Sequence, residues 1–386
     1  MKLEGVRVLD LSLFLPGPML TQMMSDHGAD VIKVEPRGKG EPNREIDLKR
    51  DGVSVFFANT HRGKKSIELD LKTDEGKELL YQLAEKSDVF VEAFRPGVVK
   101  RLGVDYDTIR KRAPNIVYCS ISAFGQDGPY AGIPAHDLAT EALAGILSVT
   151  QGQDGKPAMP GIAAADIISA MMGLSAVLMA LLRRKETGQG DFIDMAMMDA
   201  LISSVPNNMG SVLADKEPPV VKNQRPWGGN AMYNIYETLD GKFVVMGAAE
   251  LHFAKNVLEA LGRPDLLDLC QPPPGPTQEP VRAFLKETFL SRTQADWIEF
   301  FKDIECAFVP VQNMREAVDD EHVRYRQMII EDTHGHEHLG TPLKFRNEPG
   351  QLNLDLPALG EHSEQILKDL GLSDTEIASL RDKKVI

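Results

Sequence analysis

The first third of the chain alternates short β-rich runs with helical stretches, and this alternation constrains the fold more than any other feature. The β-rich runs lie at residues 6–11, 29–34, 88–92 and 116–121. Stretches with helical periodicity separate them, at residues 19–27, 73–86 and 107–112. Strands that alternate with helices predict a parallel sheet with helices on both faces, so the sequence is assigned to the α/β class.

The turn after the first predicted strand lacks the glycine motif of dinucleotide-binding proteins. Pro16-Gly17-Pro18 follows that strand, and no Gly-x-Gly-x-x-Gly is found there. A dinucleotide site needs those glycines because the backbone approaches the pyrophosphate closely. The interpretation as a nicotinamide or flavin enzyme therefore loses its main support.

A segment rich in Pro, Gly and Asn, which ends near residue 230, is interpreted as a linker. A second block of secondary-structure elements follows it. An Asp240-Gly241 turn between two β-rich runs predicts a hairpin. Helical patterns follow at residues 253–261, 279–289 and 294–304. This block is predicted to form a smaller α+β domain.

The composition limits which binding partners and which cellular compartment we expect for this protein. The 386 residues suffice for two cores, and a formal net charge of −14 argues against a nucleic-acid partner. Three scattered cysteines without CxxC spacing suggest reduced thiols, and no metal site is predicted, even at the His334–His338 run. The longest apolar stretch, residues 167–182, is shorter than a membrane span and predicts a helix buried in protein. We expect a cytoplasmic protein without a membrane partner.

Four ionisable residues stand among apolar or small residues: His136, Asp137, Asp166 and Glu250. Ionisable groups in such settings are usually partly desolvated, which costs stability unless partners or a function compensate. If folding brings them together, an imidazole and carboxylates can remove and return a proton. A carboxylate can instead attack a carbonyl carbon.

Each of these residues also has a purely structural interpretation. Asp166 stands just before a long apolar run, where Asp is a favoured helix N-cap. A lone histidine is more often structural, and Glu250 can cap the helix predicted from residue 253. His252 is a rival to His136. A cap and a reactive carboxyl are compatible, because a helix N-terminus presents amides where an oxyanion forms.

Basic residues beside Gly or Pro form clusters in this acidic chain. Each cluster alone is most simply a solvated surface. Together, near the ends of predicted strands, they suit phosphate groups, since open α/β sheets bind ligands at the carboxyl ends of strands. The candidates are Arg37, Arg62, Lys64, Lys65, Arg95, Lys100 and Arg101.

The chain resembles the family III CoA-transferase superfamily, also called the CaiB/BaiF family, which includes formyl-CoA transferase and α-methylacyl-CoA racemase. The similarity covers essentially the whole length. It rests on segments that occur in the family's order: Leu9-Asp10-Leu11 with Pro16-Gly17-Pro18, residues 30–36 and 65–72, Phe94-Arg95-Pro96-Gly97, residues 122–129 and Thr187-Gly188-Gln189-Gly190.

The resemblance implies a Rossmann-like large domain built from both chain ends, a smaller domain, and an interlocked homodimer. We place the large domain at residues 1–205 and 322–386, a linker at 206–226 and the small α+β domain at 227–321. Coenzyme A is expected as part of a thioester substrate, with no permanently bound cofactor. Leu71 joins the seven basic residues as a candidate CoA contact.

The resemblance also assigns roles that differ between two subtypes. In the transferases, an Asp at the place of Asp166 attacks the acyl-CoA thioester. In the racemases that Asp is one base, and a His of a His-Asp pair, supported by a Glu, is the other; His136, Asp137 and Glu250 fill those places. Residues 167–170 are Ile-Ile-Ser-Ala instead of the racemases' glycine run, and residues 55–59 look transferase-like.

Proton transfer at the α-carbon of a branched acyl-CoA is the preferred prediction from these residues. Amides at the start of the Asp166 helix are expected to stabilise the enolate. CoA transfer between carboxylic acids, with Asp166 as nucleophile, is the alternative. A CoA-binding protein without catalysis is a third possibility.

Overall fold

The computed structural model describes residues 1–152 and 154–386 and separates into two compact units. The first unit comprises Met1–Ile146, Pro160–Ser204 and Glu321–Ile386, so it is built from both ends of the chain. The second comprises Leu147–Met159 and Val205–Asp320. Residues 206–226, which we predicted as a linker, belong to the second unit, as does Leu147–Met159, which we predicted within the large domain.

The described residues contain thirteen strands and seventeen α-helices. The strands are β1 (Arg7–Asp10), β2 (Asp30–Glu35), β3 (Lys49–Arg50), β4 (Val53–Ser54), β5 (Lys65–Glu68), β6 (Val89–Glu92), β7 (Val117–Ser122), β8 (Asp191–Ala196), β9 (Tyr233–Glu237), β10 (Phe243–Gly247), β11 (Phe308–Pro310), β12 (Ile329–Glu331) and β13 (Glu337–Leu339). The helices are α1 (Pro16–Ser25), α2 (Val55–His61), α3 (Asp74–Glu85), α4 (Val98–Leu102), α5 (Tyr106–Arg112), α6 (Asp137–Leu143), α7 (Ile146–Val149), α8 (Ala164–Thr187), α9 (Met197–Ser203), α10 (Gly210–Ala214), α11 (Leu251–Ala260), α12 (Glu279–Phe289), α13 (Gln294–Phe301), α14 (Met314–Asp319), α15 (Glu321–Tyr325), α16 (Ser363–Leu370) and α17 (Asp374–Asp382).

A six-stranded parallel sheet is the centre of the first unit, which confirms the predicted α/β class. Its strand order is β5-β2-β1-β6-β7-β8, and every neighbouring pair is parallel. Numbered along the chain, this is the 3-2-1-4-5-6 order of the doubly wound nucleotide-binding fold. In such sheets ligands bind outside the carboxyl ends of the strands where the order reverses, here between β1 and β6.

Both faces of this sheet are covered by helices, because successive strand residues point to opposite sides. Leu9 and Phe90 face a layer that contains α3, α5, α16 and α17. Val8 and Val89 face the other layer, formed by α1, α8 and α9. All four of these strand residues have no exposed surface. The C-terminal helices therefore complete the same core that the N-terminal strands begin.

The second unit is built on a three-stranded antiparallel sheet in the order β11-β10-β9. Strands β9 and β10 form the hairpin predicted from Asp240-Gly241, and Gly241 adopts the left-handed φ of 69° that this turn requires. Helices α11, α12 and α13 pack on the sheet around Phe289, Trp297 and Phe301, which are at most 4% exposed.

Helix α8 is only partly the buried helix that we predicted. One face packs into the sheet core through residues such as Ala170, Leu174 and Val177. The opposite face leaves Met179 and Leu182 each 69% exposed. By length and composition alone α8 is long and apolar enough to cross a membrane, as core helices also can be. The prediction missed the outward-facing apolar surface because hydropathy does not distinguish the two faces.

Candidate active site

Asp166 lies in the first turn of α8 and is not its N-cap. The helix begins at Ala164, and the N-cap is Ala163, whose side chain makes no capping hydrogen bond. The structural interpretation of Asp166 as a cap is therefore wrong. Asp166 is instead the third residue of the helix, and it is only partly exposed.

Two carboxyl groups of α6 replace the missing side-chain cap of α8. The backbone N–H of Asp166 donates to Oδ1 of Asp137 at 3.1 Å. The backbone N–H of Ala164 donates to Oε1 of Glu141, also at 3.1 Å. Two of the amides that we predicted as enolate donors are therefore already occupied, and this part of the prediction is wrong. The reason is that an alanine at the N-cap leaves amides to be satisfied by a neighbouring element.

The electrostatic setting of Asp166 favours a titration near neutrality. Burial, together with the nearby carboxyls of Asp137 and Glu141, raises the pKa of Asp166 to about 7. Burial also raises the pKa of Glu141, with Asp137 as a further cause. A carboxyl group whose pKa lies near the working pH is well suited to general acid–base catalysis.

His136 is the N-cap residue of α6, so it directly precedes Asp137. Its backbone carbonyl accepts from the amides of Ala139 and Thr140. The imidazole is exposed and has no hydrogen-bond partner among residues 1–152 and 154–386. The His136–Asp137 pair thus reaches the start of α8 through the Asp137 carboxylate, and the imidazole of the preceding residue is exposed.

The loop between β1 and α1 contributes an aromatic ring to this site. Phe14 meets the His136 ring edge-on, with 6.3 Å between ring centroids. Its backbone has a φ of 64°, which is rare for a bulky residue. The N–H of Phe14 donates to Oε1 of Glu41 at 2.9 Å, and its carbonyl accepts from the side-chain amide of Asn43. These two contacts hold the strained peptide in place.

Glu250 lies in the second unit, at the N-cap position of α11. Its carboxyl makes no capping hydrogen bond and lies 3.8 Å from Nη2 of Arg225. The side chain is 51% exposed, so burial does not hold it in one position. His252, the rival imidazole, is exposed and lies against the ring of Phe253.

Two of the predicted phosphate ligands are buried in internal ion pairs. Nη2 of Arg62 lies 2.8 Å from Oδ2 of Asp26, and Nζ of Lys64 lies 3.0 Å from Oδ2 of Asp10. Both side chains are at most 3% exposed, and burial lowers the pKa of Lys64 to about 8. Their charges are therefore committed inside the protein.

Asp10 is the centre of a larger buried network. A second ammonium group, that of Lys33, lies 3.4 Å from Asp10 Oδ1 and 3.3 Å from Glu41 Oε2. Ser12 and Thr21 also donate to the carboxyl of Asp10. The network thus ties β1, β2 and the loop that carries Phe14 into one rigid assembly.

The remaining basic candidates stay at the surface. Arg95, Lys100 and Arg101 are exposed and have no acidic partner among the residues that the structure describes. They follow β6, beside the point where the strand order reverses. The Nε of Arg37 donates to the carbonyl of Ile386, and Lys65 pairs with Asp30 at 2.7 Å.

The loop after β6 is itself anchored by a buried acid. Oε2 of Glu92 accepts the amide of Phe94 at 2.8 Å, which fixes the turn that carries Arg95. Burial raises the pKa of Glu92 to about 7. Leu71, after β5, is partly buried against the sheet core.

Sequence reasoning missed Glu141, Phe14 and Glu92. Glu141 follows Asp137 by four residues, a spacing that places both on one helix face, and this signal was available. Phe14 carries no such signal, because its contact with His136 joins elements distant in sequence. Glu92 ends a strand whose burial on both faces only the fold reveals.

Comparison with known proteins decides the family. The model of CoA-transferase family III matches residues 3–363. The chain belongs to this family. Succinyl-CoA:mesaconate CoA-transferase of Haloarcula hispanica is 32% identical over 392 residues, 96% of each protein. Alpha-methylacyl-CoA racemase of Homo sapiens is 30% identical over 403 residues, covering all of this chain and 98% of the relative.

Solved structures agree with this assignment. The crystal structure of a CaiB/BaiF family protein from Brucella suis superimposes with a TM-score of 0.84 at 29% identity. The match covers 95% of this chain and 99% of that one. The similar proteins include both transferases and a racemase, so the chain is an enzyme of a family that acts on CoA thioesters.

Proposed function

We propose that this enzyme moves a proton at the α-carbon of an acyl-CoA, with Asp166 as one acid–base group and His136 as the other. The observation that carries the proposal is the hydrogen bond from the Asp166 amide to Asp137. It brings the His136–Asp137 pair to the helix mouth where Asp166 stands. An imidazole and a carboxyl in neighbouring positions can serve the two faces of a planar enolate.

The charge environment supports proton transfer more than nucleophilic attack. A carboxylate nucleophile is most available when nearby cations or amides hold it ionised. Asp166 is flanked by Asp137 and Glu141 instead, and its pKa lies near 7. At neutral pH both protonation states are populated, which is what a group that accepts and returns a proton requires.

CoA transfer between carboxylic acids is the second candidate. The relative named succinyl-CoA:mesaconate CoA-transferase supports it, since its name describes transfer from succinyl-CoA to a dicarboxylate. In that reaction the Asp166 carboxylate would attack the thioester carbonyl and release the CoA thiolate, leaving an acyl anhydride on Asp166. His136 and Glu250 would then only shape the pocket.

One experiment separates the two candidates. The enzyme is incubated in D2O with a 2-methylacyl-CoA, with and without a dicarboxylic acid acceptor. Deuterium at the α-carbon, no adduct on Asp166 and no need for an acceptor support proton transfer. A covalent adduct on Asp166 and dependence on the acceptor support CoA transfer. Asp166→Asn should lower either activity by about 10²- to 10⁴-fold while thioester binding persists.

Glu250 and His252 are tested in the same assay. We propose that the carboxylate of Glu250 takes the supporting role in proton transfer that the resemblance to the racemases implies. Glu250→Gln should then lower exchange without a change in adduct formation. His252→Asn serves as the matched control, and we expect it to leave exchange unchanged. If only the His252 variant loses deuterium exchange, His252 and not His136 is the second acid–base group.

We also propose that the enzyme is a homodimer and that exposed cations bind the CoA nucleotide. The apolar outer face of α8 supports the dimer, because exposed patches of this kind usually mark interfaces. Arg95, Lys100 and Arg101 support nucleotide binding, since they are exposed after β6 and have no acidic partner among the described residues. Arg37 is exposed as well, near the end of β2, although its Nε donates to the carbonyl of Ile386. Arg62 and Lys64 are left out of this set.

A further inference from the structure

Glu141 has no exposed surface, whereas the carboxyl-bearing residues beside it, Asp137 and Asp166, are partly exposed. It lies one turn after Asp137 on α6, so both carboxyls point to the same side of the helix. Its Oε1 accepts the amide of Ala164, the first residue of α8. Its Oε2 is buried and has no hydrogen-bond partner while both carboxyls are ionised.

An ionised carboxylate oxygen that is buried without a donor is costly. One proton removes the problem, because the carboxyls of Glu141 and Asp137 accept amides only two residues apart, those of Ala164 and Asp166, and so lie side by side at the start of α8. Two carboxyl groups at such a distance ordinarily share a proton instead of both ionising. Glu141 is the more buried of the two, so the proton belongs on its side.

We infer that Glu141 keeps a proton at neutral pH, donates it to Asp137 and so acts as a positioning residue for Asp166. The protonated acid satisfies Oε2 and still accepts the Ala164 amide through Oε1. Asp137 stays ionised and keeps its bond to the Asp166 amide. Of the two carboxyl groups next to Asp166, only that of Asp137 then carries a negative charge, and that of Glu141 is neutral.

Among the residues that the structure describes, Asp137 is the charged group that acts on the pKa of Glu141. Of the elements packed against α6 and α8, helix α1 has no charged residue. Helix α9 carries Asp199, which is exposed, and β8 carries Asp191 and Asp194. None of these three is among the charges that act on Asp166. The sharing of one proton by Glu141 and Asp137 is therefore an arrangement internal to α6.

The role rests on the proposed function of Asp166, and matched variants at residue 141 test it. Glu141→Gln mimics the protonated acid, since its amide group donates to Asp137 and its carbonyl accepts from Ala164. We expect the acid limb of the kcat/KM pH profile and the melting temperature to match the wild type. If Glu141 is ionised instead, removing its charge moves that limb about one pH unit lower and overturns the proposal.

Glu141→Leu removes both the donor and the acceptor. The hydrogen bond that spreads the charge of Asp137 is then lost, so Asp166 faces a stronger negative field and we expect the acid limb, which follows Asp166, to move about one pH unit upward, with lower stability. A variant that loses stability but keeps the acid limb of the wild type shows a capping role only, and that result also overturns the proposal.

A spectroscopic readout does not depend on activity. Infrared difference spectra at pH 7 between wild type and Glu141→Gln should show the loss of one protonated-carboxyl C=O band. Asp199→Asn, at an exposed site, should show no such loss. If the wild type neither exchanges protons nor transfers CoA, the proposed function fails, and this band alone decides the protonation of Glu141. Absence of the band overturns the inference.

Discussion

The Phe14 ring stands edge-on to the His136 imidazole, 6.3 Å away between centroids, and does so from a left-handed backbone. Residues held in sparsely populated backbone regions cluster at functional sites, where the surrounding structure compensates the strain. Here the compensation comes from Glu41, which is fully buried, and from Asn43. Phe14 therefore fixes one side of the imidazole without a hydrogen bond.

Replacing Phe14 is expected to separate activity from stability. Phe14→Gly relieves the backbone strain, since glycine adopts a positive φ freely, but it removes the ring. We expect a melting temperature at or above that of the wild type with kcat about fivefold lower, because an aromatic pair contributes about 1 kcal/mol. Phe14→Tyr retains the ring and should retain kcat. Full activity in the glycine variant would contradict this role.

The raised pKa of Asp166 predicts how stability depends on pH. The folded-state pKa is about 7, above the ordinary value of 3.8, so the folded protein holds this proton more tightly than the unfolded chain. That contribution is fully present at low pH and is lost as the pH rises through 7. Asp166→Asn escapes the loss and should be more stable than the wild type above pH 7, by about 2 kcal/mol.

Urea unfolding well below and well above pH 7 measures this difference. The gap in unfolding free energy between Asp166→Asn and wild type should widen with pH. Asp199→Asn provides the control, because Asp199 is exposed on the helix that packs beside α8. A gap that stays constant across the pH range would show that Asp166 titrates normally.

The free cations after β6 are expected to govern affinity for the CoA nucleotide. Combining Lys100→Gln with Arg101→Gln should raise KM for the thioester about tenfold and leave kcat unchanged, since both side chains are far from the reacting bond in the proposed site. The KM of the wild type should rise with salt more steeply than that of the variant. Arg110→Gln, an exposed arginine paired with Asp107, is the control. Equal salt dependence in all three proteins would remove these residues from the site.

The outer face of α8 predicts a change in assembly. Met179→Asp together with Leu182→Asp places two charges on an apolar surface, and we expect the wild-type dimer to become a monomer at micromolar concentration. Sedimentation velocity measures this directly. Glu186→Gln, near the end of the same helix, should remain dimeric. A wild type that sediments as a monomer at every concentration tested would refute the dimer.

The sequence alone predicted the parallel sheet well but the site only in part. The run at residues 88–92 has three consecutive apolar residues, Val89, Phe90 and Val91, between two acids, so its assignment required no long-range information. Arg62 and Lys64 were placed at the surface because their neighbours are small and basic, whereas their partners, Asp26 and Asp10, lie far away in sequence. Asp166 was interpreted as a helix cap because the longest apolar stretch begins at residue 167. The helix itself begins earlier, at Ala164.

The buried ions around Asp10 decide what the first turn of this fold can hold. In dinucleotide-binding relatives of the architecture, that turn is a bare glycine cradle that wraps a pyrophosphate. Here Lys33 and Lys64 both pair with the Asp10 carboxylate beneath this turn, and removing both ammonium groups would leave that buried carboxylate without a cation, at a cost of about 3–5 kcal/mol. In this protein a buried ion-pair network therefore supports the turn that binds a pyrophosphate in those relatives. Substitutions meant to change which ligand binds should therefore start on the other side of the crevice, at the turn that follows Glu92.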